Sequence, residues 1–216
     1  FYDLLDKHRE TLFRRKQNFV FESIASPGRL EERVIGPLAK IGIRLGEHYA
    51  LAYAPRQDWS VQSKRGLRSR GYWASDDDID CVLENLFELA KYEKVRMENL
   101  NEAEFLVNLG ITLEHIQDVF LMQAALAYPN VNVRNVVEVW NAITGGQIDF
   151  PVTGAGGAKM PVATLNLLDS ANSPELASIL KETILSDLAA HRTLVSMIEE
   201  TKPKQVAILG FGNRVE

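Results

Sequence analysis

Cations interleaved with aromatic rings are the most concentrated chemical signal in the chain. Between residues 56 and 73 stand Arg56, Lys64, Arg65, Arg68 and Arg70, together with Trp59, Tyr72 and Trp73. Guanidinium and ammonium groups neutralise oxyanions, while indole and phenol faces stack on bases, so the mixture suits single-stranded nucleic acid or RNA. It suits an acidic protein surface equally well, because arginine grips a carboxylate through two parallel hydrogen bonds. The competing explanation is a solvated loop whose cations pair with carboxylates of the same chain.

A second cluster is the run Gly154-Ala155-Gly156-Gly157 followed by Lys159. Glycine-rich backbone can aim successive N–H groups at one anion, so Gly154, Gly156, Gly157 and Lys159 form a candidate anion-binding turn for a nucleotide or phosphometabolite. The spacing is not that of a phosphate-binding loop, since Met160 stands where the magnesium-reaching hydroxyl belongs. Near the end of the chain, Gly210-Phe211-Gly212 follows the apolar run Val206 to Leu209, as in the first turn of a dinucleotide fold. Val215 takes the place of the third glycine, which rules out a complete fingerprint.

Metal ligation and catalysis find less support. Asp76, Asp78 and Asp80 alternate as in a calcium loop, but Cys81 and Phe87 occupy the positions of its glycine and glutamate. His115 and Asp118 lie three apart with no second pair to complete a metal site, so His115 reads as a partly exposed helical histidine. His191 reads as a hydrogen-bonded core or edge histidine. The stretch Thr112 to Asp118 could be the second helix of a DNA-reading pair, but it has no Lys or Arg to meet phosphate. With no nucleophile tied to a base, neither a reaction, a metal nor a cofactor is expected.

The elements that must position these groups read as mostly helical. Residues 1 to 22 and about 30 to 53 carry apolar residues at helical spacing, the latter interrupted by Gly36-Pro37, and residues 55 to 74 read as a long basic loop. Ser75 is a good N-cap, followed by Asp76, Asp77 and Asp78 and then by the stripe Ile79, Val82, Leu83, Leu86, Phe87 and Ala90. Asn101 and Glu104 have capping-box spacing for a short helix closed by Gly110, after which Thr112 caps a longer one. Val133 to Ile143 again has helical spacing. Residues 147 to 168 read as a β-hairpin or extended element. Ser173 and Pro174 open a last long helix with Leu176, Ile179, Leu180, Ile184, Leu188, Val195 and Ile198 turned inward.

The expected fold is therefore mainly α: a single domain over residues 1 to 216, with six or seven helices, the basic loop at 55 to 74 and the extended insertion at 147 to 168. The alternative is α+β, with residues 131 to 143 and 206 to 209 joining a sheet. At 216 residues, with 46% hydrophobic and 25% charged residues, the chain can bury a full core. No apolar run reaches membrane-spanning length, and the single cysteine, Cys81, excludes an internal disulfide and fits a cytoplasmic location. The start at Phe1 without methionine points to a piece of something larger. Residues 1 to 73 hold 14 Lys/Arg against 8 Asp/Glu, and the remainder holds 10 against 21. That asymmetry favours an acidic protein surface or a second copy of the chain as partner, with nucleic acid also open. The functional expectation is a non-enzymatic interaction module that binds an acidic partner through the basic and aromatic loop. Nucleic-acid binding through that loop, or phosphate handling at Gly154 to Lys159, is the alternative.

Overall fold

The computed structural model describes residues 15–55, 69–146, 148–149 and 159–202, with the backbone alone at Lys159. The chain forms two compact units, Phe1–Asn108 and Leu109–Glu216.

The first unit is a sheet with helices on both faces. Strand β1 (Gln17–Phe21) leads through a five-residue π-helical turn (Glu31–Ile35) and the one-turn helix α1 (Gly36–Lys40) to β2 (Tyr49–Tyr53). Strand β3 (Ser69–Ala74) leads through helix α2 (Asp77–Leu89) to β4 (Glu93–Arg96). The sheet order is β1-β2-β3-β4. β1 and β2 run parallel from Gln17↔Tyr49 to Phe21↔Tyr53, β3 and β4 run parallel from Ser69↔Glu93, and β2 meets β3 antiparallel at Tyr53↔Trp73. Each parallel pair needs a crossover, and each crossover is the helical segment that covers one face.

Burial follows from this layering. On one face Ala50, Ala52, Tyr72 and Ala74 pack against Ile79, Leu83 and Phe87 of α2. On the other, Tyr49, Leu51 and Tyr53 pack against Leu30, Val34, Leu38, Leu100 and Ala103. β2 is thus buried on both sides along its whole length. Helix α2 starts at Asp76, whose Oδ1 accepts from the Ile79 N–H at 3.2 Å and whose Oδ2 lies 3.0 Å from Lys16 Nζ. Burial works against the Asp76 carboxylate, but the Lys16 and Ile79 bonds overrule it and hold its pKa below the ordinary value.

Helix α3 (Leu100–Ala127) begins in the first unit and ends in the second. Asn99 starts it by accepting the Glu102 N–H at 2.9 Å. A Cβ on Gly71 of β3 would lie 2.4 Å from Leu106 Cδ2, so the missing side chain lets this helix lie close to the sheet. The second unit continues with α4 (Val133–Thr144), α5 (Lys159–Ser170) and α6 (Pro174–Thr201). Asn132 caps α4 through the Asn135 N–H, and Ser173 caps α6 through the Leu176 N–H.

Several expectations need correction. The fold is mainly α with a four-stranded mixed sheet, the α+β alternative, but the sheet is built from residues 17 to 96. Residues 17 to 21 and 49 to 53 are strands where helices were expected, and residues 69 to 74 of the presumed loop form β3. The cap of α2 is Asp76, not Ser75. Glu104 is no capping box, and Gly110 closes nothing: one helix runs from Leu100 to Ala127, which removes the helix-turn-helix reading. Residues 159 to 168 are helical rather than extended. The helices at 133 to 144 and 174 to 201 stand as expected, but α6 buries Leu180, Thr183, Asp187 and Ala190. Leu176, Ile179, Leu188, Val195 and Ile198 of that helix are exposed. The apolar runs at 148 to 153 and 206 to 209 lie largely or wholly outside the described residues.

α3 is long and apolar enough to cross a membrane, contrary to the sequence expectation. It buries Glu104, Asn108, Thr112 and His115 at i, i+4, i+8 and i+11, a polar stripe that belongs in a protein interior and that lipid would penalise heavily.

Candidate functional site

The parallel strands β1 and β2 end together at Phe21 and Tyr53, and the chain leaving β1 folds back over that edge. In open α/β sheets the crevice beyond the carboxyl ends of the strands is the usual ligand site, because loops there converge without blocking one another. Three groups fix the loop. Tyr53 Oη accepts the Ala25 N–H at 3.1 Å, and Asn108 Nδ2 donates to the Ala25 carbonyl at 2.6 Å. Glu104 accepts the Gly28 N–H at 2.6 Å on Oε2 and the Leu30 N–H at 2.9 Å on Oε1. Gly28 has φ +80°, a left-handed conformation that favours glycine and that turns its N–H toward the carboxylate.

Glu104 is fully buried. Burial pushes its carboxyl up from the ordinary value, while the Leu30 and Gly28 N–H bonds pull it down without cancelling the rise. Tyr53 is pushed up to about 12 by burial and stays a neutral phenol. The loop is therefore held rigid by three buried groups, Tyr53, Asn108 and Glu104, none of which is an accessible acid or base.

Of the residues singled out from the basic segment, the structure places three. Arg70 and Tyr72 are buried positions of β3 and Trp73 lies between them and Ala74, half-buried. Tyr72 cannot stack on a base: it is 2% exposed, lies edge-on to Phe87, and donates its hydroxyl to Asp80 Oδ1 at 2.7 Å. Burial first, and then the bond to Asp80, push its pKa to about 12. Arg96 completes that cluster with a 2.8 Å bond to Asp80 Oδ2. Arg56, Trp59, Lys64, Arg65 and Arg68 lie outside the described residues, as do Gly154, Gly156 and Gly157; Lys159 opens α5.

The second unit holds a cluster that sequence reading missed. His115, expected to be partly exposed, is fully buried, with Nδ1 2.8 Å from Thr164 Oγ1 and Nε2 3.5 Å from Asp187 Oδ2. His191 donates from Nδ1 to the Asp187 carbonyl at 2.9 Å. Thr164 has one proton and two acceptors in reach, His115 Nδ1 and the Met160 carbonyl at 3.1 Å. Donation to His115 leaves Nε2–H facing Asp187, the arrangement that sets a donor opposite an acceptor. The order hydroxyl, imidazole, carboxylate imitates a nucleophile triad. Thr164 and His115 are 0% exposed and Asp187 6%, so no substrate reaches the hydroxyl and the cluster is structural. Among the described residues no group of three His, Cys, Asp or Glu is placed to hold a metal ion, and Cys81 is exposed on α2.

The chain matches no protein-family model and no curated protein sequence. Its fold is similar to that of solved nucleotide-sugar dehydrogenases. A UDP-D-ManNAc dehydrogenase from Pyrococcus horikoshii matches with TM-score 0.69 and 20% identity over 86% of this chain and 46% of that one. A UDP-glucose dehydrogenase from Pyrobaculum islandicum matches with 0.70 and 19% over 90% and 46%. An NDP-N-acetyl-D-galactosaminuronic acid dehydrogenase from Methanosarcina mazei Go1 matches with 0.68 and 21% over 94% and 48%. The chain spans less than half the length of these structures. The likeness overturns the expectation of a non-enzymatic module that binds protein or RNA through a basic loop: the fold is similar to part of these dehydrogenase structures, with a sheet among the helices.

Two results follow from the site. Glu104→Ala leaves the Gly28 and Leu30 N–H groups without their acceptor and is expected to destabilise the fold by about 1–3 kcal/mol per group in urea unfolding; an unchanged midpoint would mean that the carboxylate does not hold the loop. His115 has its pKa lowered, by burial first and against the opposing pull of Asp187. A lowered folded pKa gives stability that is present above the unfolded value of 6.5 and lost as the pH falls through the folded one. Unfolding free energy is therefore expected to decline as the pH falls below about 6.5, with a shallower decline in His115→Gln.

Proposed function

We propose that this chain is a portion of a nucleotide-sugar dehydrogenase and that the carboxyl edge of β1 and β2 holds the nucleoside-diphosphate sugar. The observation that carries the reading is the extent of the likeness, 86 to 94% of the chain at TM-scores of 0.68 to 0.70. The loop held rigid by Glu104, Asn108 and Tyr53 supports it, because a fixed loop at such an edge gives a ligand a preformed wall. A cytoplasmic location goes with the proposal.

A dehydrogenase of this kind passes a hydride to a dinucleotide, whose pyrophosphate needs a glycine-rich turn leading into a helix. The described residues do not fit that group. The crossover after β1 carries Glu31 and Glu32 in its first turn, and α2 starts with Asp76, Asp77, Asp78 and Asp80. Carboxylates at a helix start occupy the place that a pyrophosphate would take and repel it. The part assigned to these residues is therefore binding of the nucleotide sugar.

We propose a second copy of the chain as partner. Helix α4 exposes Val136, Val139, Trp140 and Ile143 at i, i+3, i+4 and i+7, an apolar stripe turned to solvent.

Two measurements test these readings. Calorimetric titration of the full chain with UDP-glucose and with UDP-N-acetylmannosamine is expected to show saturable binding of at least one; no binding of either at millimolar concentration would remove the proposal. Light scattering is expected to give a dimer mass that falls to the monomer in Trp140→Glu. A wild-type chain that is monomeric at every concentration contradicts the second copy.

A further inference from the structure

Arg70 is the one cation of the described sheet that is nearly closed off from solvent. It is 8% exposed, and its Nε has no hydrogen-bond partner. Its guanidinium carbon lies 4.8 Å from the centroid of the Tyr92 ring, so the aromatic face fixes the plane of the fork. The carboxylate beside it, Glu22 Oε1, is 4.0 Å from Nη1, and the Glu22 side chain is 61% exposed. A charge-assisted bond between these groups is normally about 2.7–2.9 Å long, so Glu22 screens the guanidinium without satisfying it.

The position of Arg70 matters as much as its chemistry. β3 is antiparallel to β2, with Tyr53 opposite Trp73, so residues 69 and 70 run on past the carboxyl end of β2. Glu22 directly follows the last residue of β1. Arg70 therefore stands at the edge where β1 and β2 end, with Lys94 beside it in the β3–β4 register. A buried guanidinium with an unused donor is costly to maintain unless an oxyanion completes it.

We infer that Arg70 anchors an oxyanion site at this edge, with Glu22 as a displaceable stand-in, and that the anion it takes is a diphosphate. The site stands on the arginine's own geometry; that the diphosphate belongs to a nucleotide sugar rests on the function proposed above. Two parallel N–H donors in a fixed plane match two oxygens of one phosphate. Lysine in the same place would keep the charge and lose the fork.

The test uses the full chain and three probes: inorganic pyrophosphate, UDP and uridine. Pyrophosphate and UDP are expected to bind and uridine to bind far more weakly. Arg70→Lys is expected to weaken both phosphate probes about tenfold or more, and Glu22→Gln, an exposed change that leaves the core alone, to tighten them severalfold. Arg70 dependence for pyrophosphate, with no binding of any nucleotide sugar, would confirm the site and remove the dehydrogenase reading. Equal affinities in wild type, Arg70→Lys and Glu22→Gln, or no pyrophosphate binding to wild type, would overturn the site whatever the nucleotide sugars do.

Discussion

The constraint on which the structure depends is the polar stripe of α3. Glu104, Asn108, Thr112 and His115 lie on one line of an otherwise apolar helix, all at 0 to 1% exposure. A buried polar group must find a partner or cost the fold dearly, so the stripe dictates what can pack against it. Glu104 and Asn108 are satisfied by the backbone of the loop after β1. His115 is met by Thr164 and Asp187 from two other helices of the second unit. Among the described residues Thr112 Oγ1 has no hydrogen-bond partner.

The loop at the carboxyl edge is immobilised by groups that are themselves spent: the Glu104 oxygens are taken by N–H groups, and Tyr53 is held neutral by burial. The triad-like cluster of His115, Asp187 and Thr164 has the right order of groups and no access from solvent.

Legibility in the sequence followed the range of the interactions. Local signals came through: Ser173 with Pro174, the acidic start of α2, and the helical spacing of 133 to 143. The strands did not. β2, Tyr-Ala-Leu-Ala-Tyr, is buried on both faces, so it lacks alternation and looks like part of an apolar helix. β3 does alternate, but one of its inward positions is Arg70, which disguised a strand as a basic loop. β4 is exposed throughout and carries no apolar pattern at all. Glu104 was mistaken for a local cap because its partners, Gly28 and Leu30, lie more than 70 residues away in the chain. In α6 Leu180 is buried as its spacing predicts, but the other buried side chains include Thr183 and Asp187 while Leu176, Ile179, Leu188 and Ile198 face out, so hydrophobic periodicity misplaced most of the buried face.

We propose the carboxyl edge of β1 and β2 as a binding site for a nucleoside diphosphate. A crystal structure of the full chain grown with UDP tests it most directly. Diphosphate density is expected beside the Arg70 guanidinium, with the loop from Ala25 to Leu30 unmoved and Glu22 turned away. UDP seated elsewhere on the chain, or an edge that stays closed by Glu22 at saturating UDP, would contradict it.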